Sequence, residues 1–233
     1  MTAARAAGGS GAAATPGSFE VPGSGAVSSL LLRPDGARLG YVFAHGAGAG
    51  MRQAFLEAMA GRLADRGVAT LRYQFPYMEG RRGRPDPPEI AAAAVRAATL
   101  EAARLLPGLP LVAGGKSFGG RMTSTAAALA PLEGVRGIAF FGFPLHPPGK
   151  LGTKRAEHLS RVTVPMLFLQ GTRDEFADLG LLEPVVRDLG GRATLRLVDG
   201  ADHSFGVLKS SGRTGAEVLD ELADVLSAWA AAL

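Results

Sequence analysis

Short apolar runs alternate along this chain with longer segments of helical period, and that alternation restricts it to an α/β fold, a mainly parallel sheet with helices on both faces. The runs Val27 to Arg33, Leu39 to Ala44, Val68 to Tyr73, Leu111 to Gly114, Gly137 to Gly142, Pro165 to Gln170 and Ala193 to Val198 predict strands. Phe55, Met59 and Leu63 recur at i, i+4, i+8 and predict a helix from Met51 to Arg66, ended by Gly67. Further helices are predicted over Glu89 to Leu106, Phe118 to Leu129, Leu181 to Leu189 and Thr214 to Ala232. Phe75 to Pro88 reads as loop, because its Gly and Pro content can hold neither a ladder nor an internal helix. Phe143 to Arg161, with Pro144, Pro147, Pro148 and Gly149, reads as a long loop or small lid.

At 233 residues the chain suits one sizeable domain. The Ala/Gly/Ser/Thr-rich start, residues 1–20, is expected to be a disordered tail before a domain over 21–233; it lacks the apolar core of a signal peptide. No segment offers the uninterrupted apolar length of a membrane span, so the expectation is a soluble, cytoplasmic protein without membrane contact. Cysteine is absent, which excludes a disulfide framework, a zinc-thiolate site and a cysteine nucleophile. The formal net charge of +4 comes from arginines such as Arg33, Arg62, Arg96, Arg136 and Arg192, interleaved with carboxylates. That spacing reads as a solvated surface, so no nucleic-acid partner is expected.

The chemistry concentrates at Gly115-Lys116-Ser117-Phe118-Gly119, a G-x-S-x-G that follows an apolar strand and opens a helix. A serine on so sharp a strand-to-helix turn is held clear of the sheet, and the flanking glycines let strand and helix pass closely. A phosphate-binding loop is the competing reading of Gly-Lys-Ser, but that pattern needs glycine at position 110, where this chain has Pro110. A serine hydroxyl is a weak nucleophile, so the turn predicts a histidine base and a carboxylate to orient it, in the chain order Ser, acid, His. His203, just past the last strand, is placed to be the base; His158, in a polar segment before a strand, reads as exposed or structural. Asp174 follows the strand ending at Gln170 at the same sheet edge and is the expected acid, with Asp178 and Asp202 as competitors and a plain turn or N-cap role as the alternative. Acyl transfer also needs two donors for an oxyanion: the Phe118 amide and, from His45-Gly46-Ala47-Gly48, the Ala47 amide. His45 itself reads as a brace for that loop.

Taken together, His45-Gly-Ala-Gly48, the Phe75 to Arg82 segment, Gly114 to Arg121, Phe143 to Lys150 and Asp202-His-Ser-Phe205 resemble the small, cap-less α/β-hydrolases related to dienelactone hydrolases. The resemblance runs from about Gly40 to the C-terminus. It implies the α/β-hydrolase fold without a large cap domain, an eight-strand-derived sheet and the triad Ser117, Asp174, His203. Ser117 stands where dienelactone hydrolases proper carry a cysteine. The resemblance leaves the substrate open, and a relative in a nuclear acetyltransferase complex is a scaffold.

The expected function is hydrolysis of an ester or other small acyl substrate, with no metal or cofactor; acyl transfer, thioester hydrolysis and a non-catalytic scaffold are the alternatives. Arg81, Arg82, His146 and Lys150 lie on segments this fold gathers above the serine and are candidates for binding an anionic substrate group, as is Arg121. The alternative is that they pin their own loops.

Overall fold

A computed structural model describes residues 13–233. It contains an eight-stranded sheet: β1 (Thr15–Val21), β2 (Gly25–Leu32), β3 (Leu39–Ala44), β4 (Val68–Tyr73), β5 (Leu111–Lys116), β6 (Val135–Phe141), β7 (Met166–Gly171) and β8 (Ala193–Val198). The spatial order is β1-β2-β4-β3-β5-β6-β7-β8, with β2 antiparallel to both neighbours and every pairing from β4 to β8 parallel. Helices α1 (Ala54–Ala64), α2 (Pro76–Glu79), α3 (Pro88–Leu105), α4 (Phe118–Leu129), α5 (Leu179–Asp188) and α6 (Gly215–Ala231) complete the fold.

Every residue of β3, β4, β5 and β7 is buried, which is why these strands read as predominantly apolar runs: a parallel sheet between two helical layers has no solvent face. The period of two then sorts side chains between layers. Tyr41 and Phe43 of β3 pack with Leu56 and Met59 of α1 and with Leu222 and Leu226 of α6. Val42 and Ala44 face the other layer, where α3, α4 and α5 bring Ala94, Ala98, Met122 and Leu182 against Phe140 and Phe168. Helix α3 buries Ala91, Ala94, Ala98 and Ala102, so a face of small side chains lies against the sheet. Helix α6 opens with a capping box: the Glu217 amide donates to Thr214 Oγ1 at 3.2 Å and the Thr214 amide to Glu217 Oε2 at 2.7 Å.

Two expectations are corrected. Residues 1–12 of the expected tail lie outside the described residues, but Thr15–Val21 is a strand paired with β2 from Thr15↔Leu31 to Val21↔Gly25. It is an edge strand that buries only Phe19 and Val21, so its Thr-Pro-Gly-Ser start has loop composition; proline is tolerated there because an edge can spare a donor. The expected loop Phe75 to Pro88 contains α2, opened by Pro76 at its first turn. The Glu79 carboxylate ties this helix to β2 by accepting from the Ser28 amide and hydroxyl, both at 2.9 Å. Within the other expected loop, Lys154–Arg161 forms 3₁₀ turns, and no cap domain rises over the sheet among the described residues.

Phe168, a fully buried residue of β7 that packs on Phe140 and Phe143, and Leu197, 39% exposed on the β8 edge, define the contrast between core and rim. Phe168→Ala is expected to cost about 3–5 kcal/mol in urea unfolding, and Leu197→Ala to stay within about 0.5 kcal/mol of zero.

Candidate active site

The site is built at the carboxyl edge of the parallel strands, where the loops after β3, β5, β6, β7 and β8 converge. Strand β5 ends at Lys116 and α4 begins at Phe118, so Ser117 alone makes the turn, with φ 50° and ψ −115°. That backbone region is costly for a residue with a side chain, and it is held by close contact all round. The Ser117 amide donates to the Phe141 carbonyl at 3.0 Å. A Cβ on Gly115 would lie 2.3 Å from the Ala44 carbonyl oxygen, and one on Gly119 would lie 2.6 Å from that of His45. Only glycine lets β5 and α4 pass so near β3.

His203 Nε2 lies 2.9 Å from Ser117 Oγ, and His203 Nδ1 lies 2.8 Å from Asp174 Oδ2. A carboxylate only accepts, so Nδ1 carries the proton and Nε2 presents its lone pair to the serine hydroxyl. The Asp174 side chain is wholly buried, and each of its oxygens is occupied: Oδ1 accepts from the Phe176 amide at 2.8 Å, and Oδ2 also accepts from Gln170 Nε2 at 2.5 Å. Gln170 is itself fixed, accepting from the Phe143 amide at 2.9 Å. The Phe176 ring covers the imidazole with centroids 4.2 Å apart. The competing carboxylates are engaged elsewhere. Asp178 caps α5 by accepting from the Leu181 amide, and Asp202 accepts from the amides of Ser204 and Gly206. Gln170, Phe176 and the buried Lys116 escaped sequence reasoning, since no motif marks a residue that acts through another's orientation.

The glycine-rich loop after β3 stands beside the serine: a Cβ on Gly46 would be 3.9 Å from Ser117 Cβ. Tyr77 of α2 holds this loop, its hydroxyl accepting from the Gly48 amide at 2.8 Å, while Ala47 is exposed at the tip. Phe118 is the first residue of α4, where a helix leaves its amides without internal partners. His45 is buried beneath, taking the Phe75 amide on Nε2 at 3.2 Å and facing the Gly46 carbonyl with Nδ1 at 2.7 Å. Burial lowers its pKa to about 4, against a raising pull from the Gly46 carbonyl.

The outlying candidates divide. His146 is buried with both ring nitrogens taken by backbone, Nδ1 by the Pro147 carbonyl and Nε2 by the Asp178 amide, each at 2.9 Å, so it braces the loop and does not face substrate. Arg82 pairs with Asp86 at 2.8 Å, and the same buried carboxylate accepts from the Tyr77 amide at 2.9 Å; this arginine pins its loop. Arg81, with φ 52°, and Lys150 are exposed. The Arg121 guanidinium lies 5.9 Å from the Phe118 ring centroid, its pKa lowered by burial and by Arg155. His158 is structural, its Nε2 2.7 Å from Ser124 Oγ, with a pKa lowered to about 4 by burial and then by Arg121 and Arg161.

The fold and this constellation define a member of the α/β-hydrolase class without a cap. Residues 37–231 match the family model described as an alpha/beta hydrolase domain, and the chain belongs to that family. Among solved structures it is similar to a dienelactone hydrolase from Anabaena variabilis, at 24% identity and TM-score 0.72 over 94% of this chain and 96% of that one. It is also similar to an α/β serine hydrolase without a lid from Xanthomonas campestris, at 19% identity and TM-score 0.72 over 93% and 95% of the two chains. A cold-adapted esterase from an Arctic intertidal metagenomic library matches at 19% identity and TM-score 0.63 over 91% of each chain. Among the described residues no cluster of His, Asp and Glu is placed to hold a metal ion, and no helix is long and apolar enough to cross a membrane.

His45 and His158 are neutral in the fold down to about pH 4 but titrate near 6.5 when unfolded. The unfolded chain therefore binds more protons between those values, so stability is full above pH 6.5 and is lost as pH falls towards 4. Urea unfolding across that window should show this slope, and His158→Gln should reduce it.

Proposed function

We propose that this chain is a serine hydrolase of ester or related small acyl substrates, working in the cytoplasm through an acyl-enzyme on Ser117. The observation that carries the reading is the unbroken hydrogen-bonded line from Asp174 through His203 to Ser117 on a strained turn. Ser117 Oγ attacks the carbonyl carbon as its proton passes to His203 Nε2, and Asp174 stabilises the imidazolium through Nδ1–H. The Phe118 and Ala47 amides receive the developing oxyanion. Collapse of the tetrahedral species breaks the bond to the leaving group, which takes the proton from His203. Water then repeats the sequence on the acyl-enzyme: it loses a proton to His203, attacks the carbonyl, and releases the acid while Ser117 recovers its proton.

Arg81 and Lys150 are the members of the expected quartet whose exposure suits contact with an anionic group on a substrate. The esterase and dienelactone hydrolase among the structural relatives support the reaction class and leave the acyl group open.

A fluorophosphonate probe reports an activated serine directly, because only a serine with a base and an oxyanion site forms the adduct at a useful rate. Labelling is expected at Ser117 alone, abolished in Ser117→Ala and reduced at least about 100-fold in His203→Ala with folding retained. Turnover of short p-nitrophenyl esters should follow the same order. A folded wild-type protein that neither labels nor turns over would leave the scaffold reading in its place.

A further inference from the structure

We propose that Lys116 is a positioning residue for this reaction: from the place next to Ser117, its side chain ties the main chain of His203 to the end of β5 and so sets the distance between nucleophile and base. The inference rests on the hydrolase reading and extends it to a residue outside the triad.

Lys116 is the last residue of β5 and is 5% exposed. Its ammonium lies among aromatic rings, with centroids 5.9 Å away at Phe55 of α1 and 5.5 Å away at Phe205 of the histidine loop. Nζ donates to the His203 carbonyl oxygen. A Cβ built on Gly142, at the end of β6, would lie 3.1 Å from Lys116 Nζ, 3.3 Å from His203 Nδ1 and 3.4 Å from Asp174 Oδ2, so the ammonium, the imidazole and the carboxylate converge on one point. The charged groups that act on this ammonium are Asp174 from the loop after β7 and Asp202 from the loop after β8.

A buried ammonium in such a pocket is unfavourable, and a methionine would fill the space without the desolvation penalty. Burial pulls the Lys116 pKa down to about 8 although Asp174 and Asp202 pull the other way. Packing therefore does not account for lysine here. The bond to the His203 carbonyl does: nucleophile and base come from distant parts of the chain, and this side chain joins them by a single strut that starts one residue from Ser117. Charge makes the strut stiffer, since a hydrogen bond from an ammonium is stronger than one from a neutral donor.

The folded-state pKa lies below the 10.5 of an unfolded lysine, so the stability penalty is full below pH 8 and is relieved as pH rises towards 10.5. Lys116→Met should accordingly keep or raise Tm at pH 7, with any gain shrinking towards pH 10.5. Its kcat and its rate of fluorophosphonate inactivation should fall at least about tenfold while KM changes less than about twofold, because a small misplacement of the base acts on the chemical step. Wild-type activity is expected to fall on the alkaline side as Lys116 loses its charge near pH 8, and that fall should be absent from the variant. Lys116→Gln, which keeps an N–H donor without the charge, should recover part of kcat. Hydrogen exchange of the Ala201 to Gly206 amides should quicken in Lys116→Met, a readout independent of turnover.

Wild-type kcat in Lys116→Met, or loss of Tm and activity together in both variants with KM rising, would overturn the proposal in favour of a folding peg. Unchanged exchange in that loop would overturn it whatever the turnover. A wild-type protein silent to probe and ester would instead overturn the hydrolase reading, and the exchange comparison would still decide whether Lys116 holds the loop.

Discussion

The carboxyl edge of the sheet depends on backbone lying against backbone where β3, β5 and α4 meet. Side chains at positions 115 and 119 would collide with the carbonyls of Ala44 and His45, and their absence lets the chain turn from strand to helix within Ser117. The turn stores strain on the order of 1–3 kcal/mol, and it persists because the surroundings over-determine it. Tyr41, Phe43 and Phe141 pack on one side of the sheet, and Phe140 and Phe168 on the other. The two cores act as a vice on the strand that leads into Ser117.

Around that turn, polar groups are few and nearly all committed. Gln170 orients Asp174, Asp174 orients His203, and the Phe143 amide orients Gln170, so the line of dipoles runs from the loop after β6 to the serine oxygen. His45 and His146 use both ring nitrogens on the backbone, whereas His203 turns one of its own to a hydroxyl. A buried network of this kind is rigid because every member is satisfied. The chain has four histidines and shelters three of them in structural tasks.

Most of the architecture was legible in the sequence because the central strands, buried on both faces, are predominantly apolar, and because glycine and proline punctuate the elements. β3, β4, β8 and α4 begin and end where periodicity and punctuation place them. β1 was illegible because an edge strand with one covered face needs only Phe19 and Val21 to be apolar. Helix α2 was illegible because its single turn is stabilised by Glu79 reaching to β2, a contact between residues far apart in the chain. At the site, Ser117, Asp174 and His203 could be singled out because motif and chain order constrain them. The tasks of Arg82 and His146 could not, since a polar loop residue that pins its own loop and one that awaits a ligand look alike in sequence. Geometry separates them: Arg82 has Asp86, and His146 has two backbone partners.

With no cap over the sheet among the described residues, the Ser117–His203 pair sits in loops open to bulk solvent, and the imidazole keeps 18% of its side-chain surface. An enzyme that transfers acyl groups to a chosen alcohol or thiol must keep water away from its covalent intermediate, and it does so by closing over it. An uncovered intermediate meets water far more often than any dissolved acceptor. On the hydrolase reading proposed above, the partition favours hydrolysis by concentration alone, and an acyl group opened at such an uncovered site leaves as the free acid.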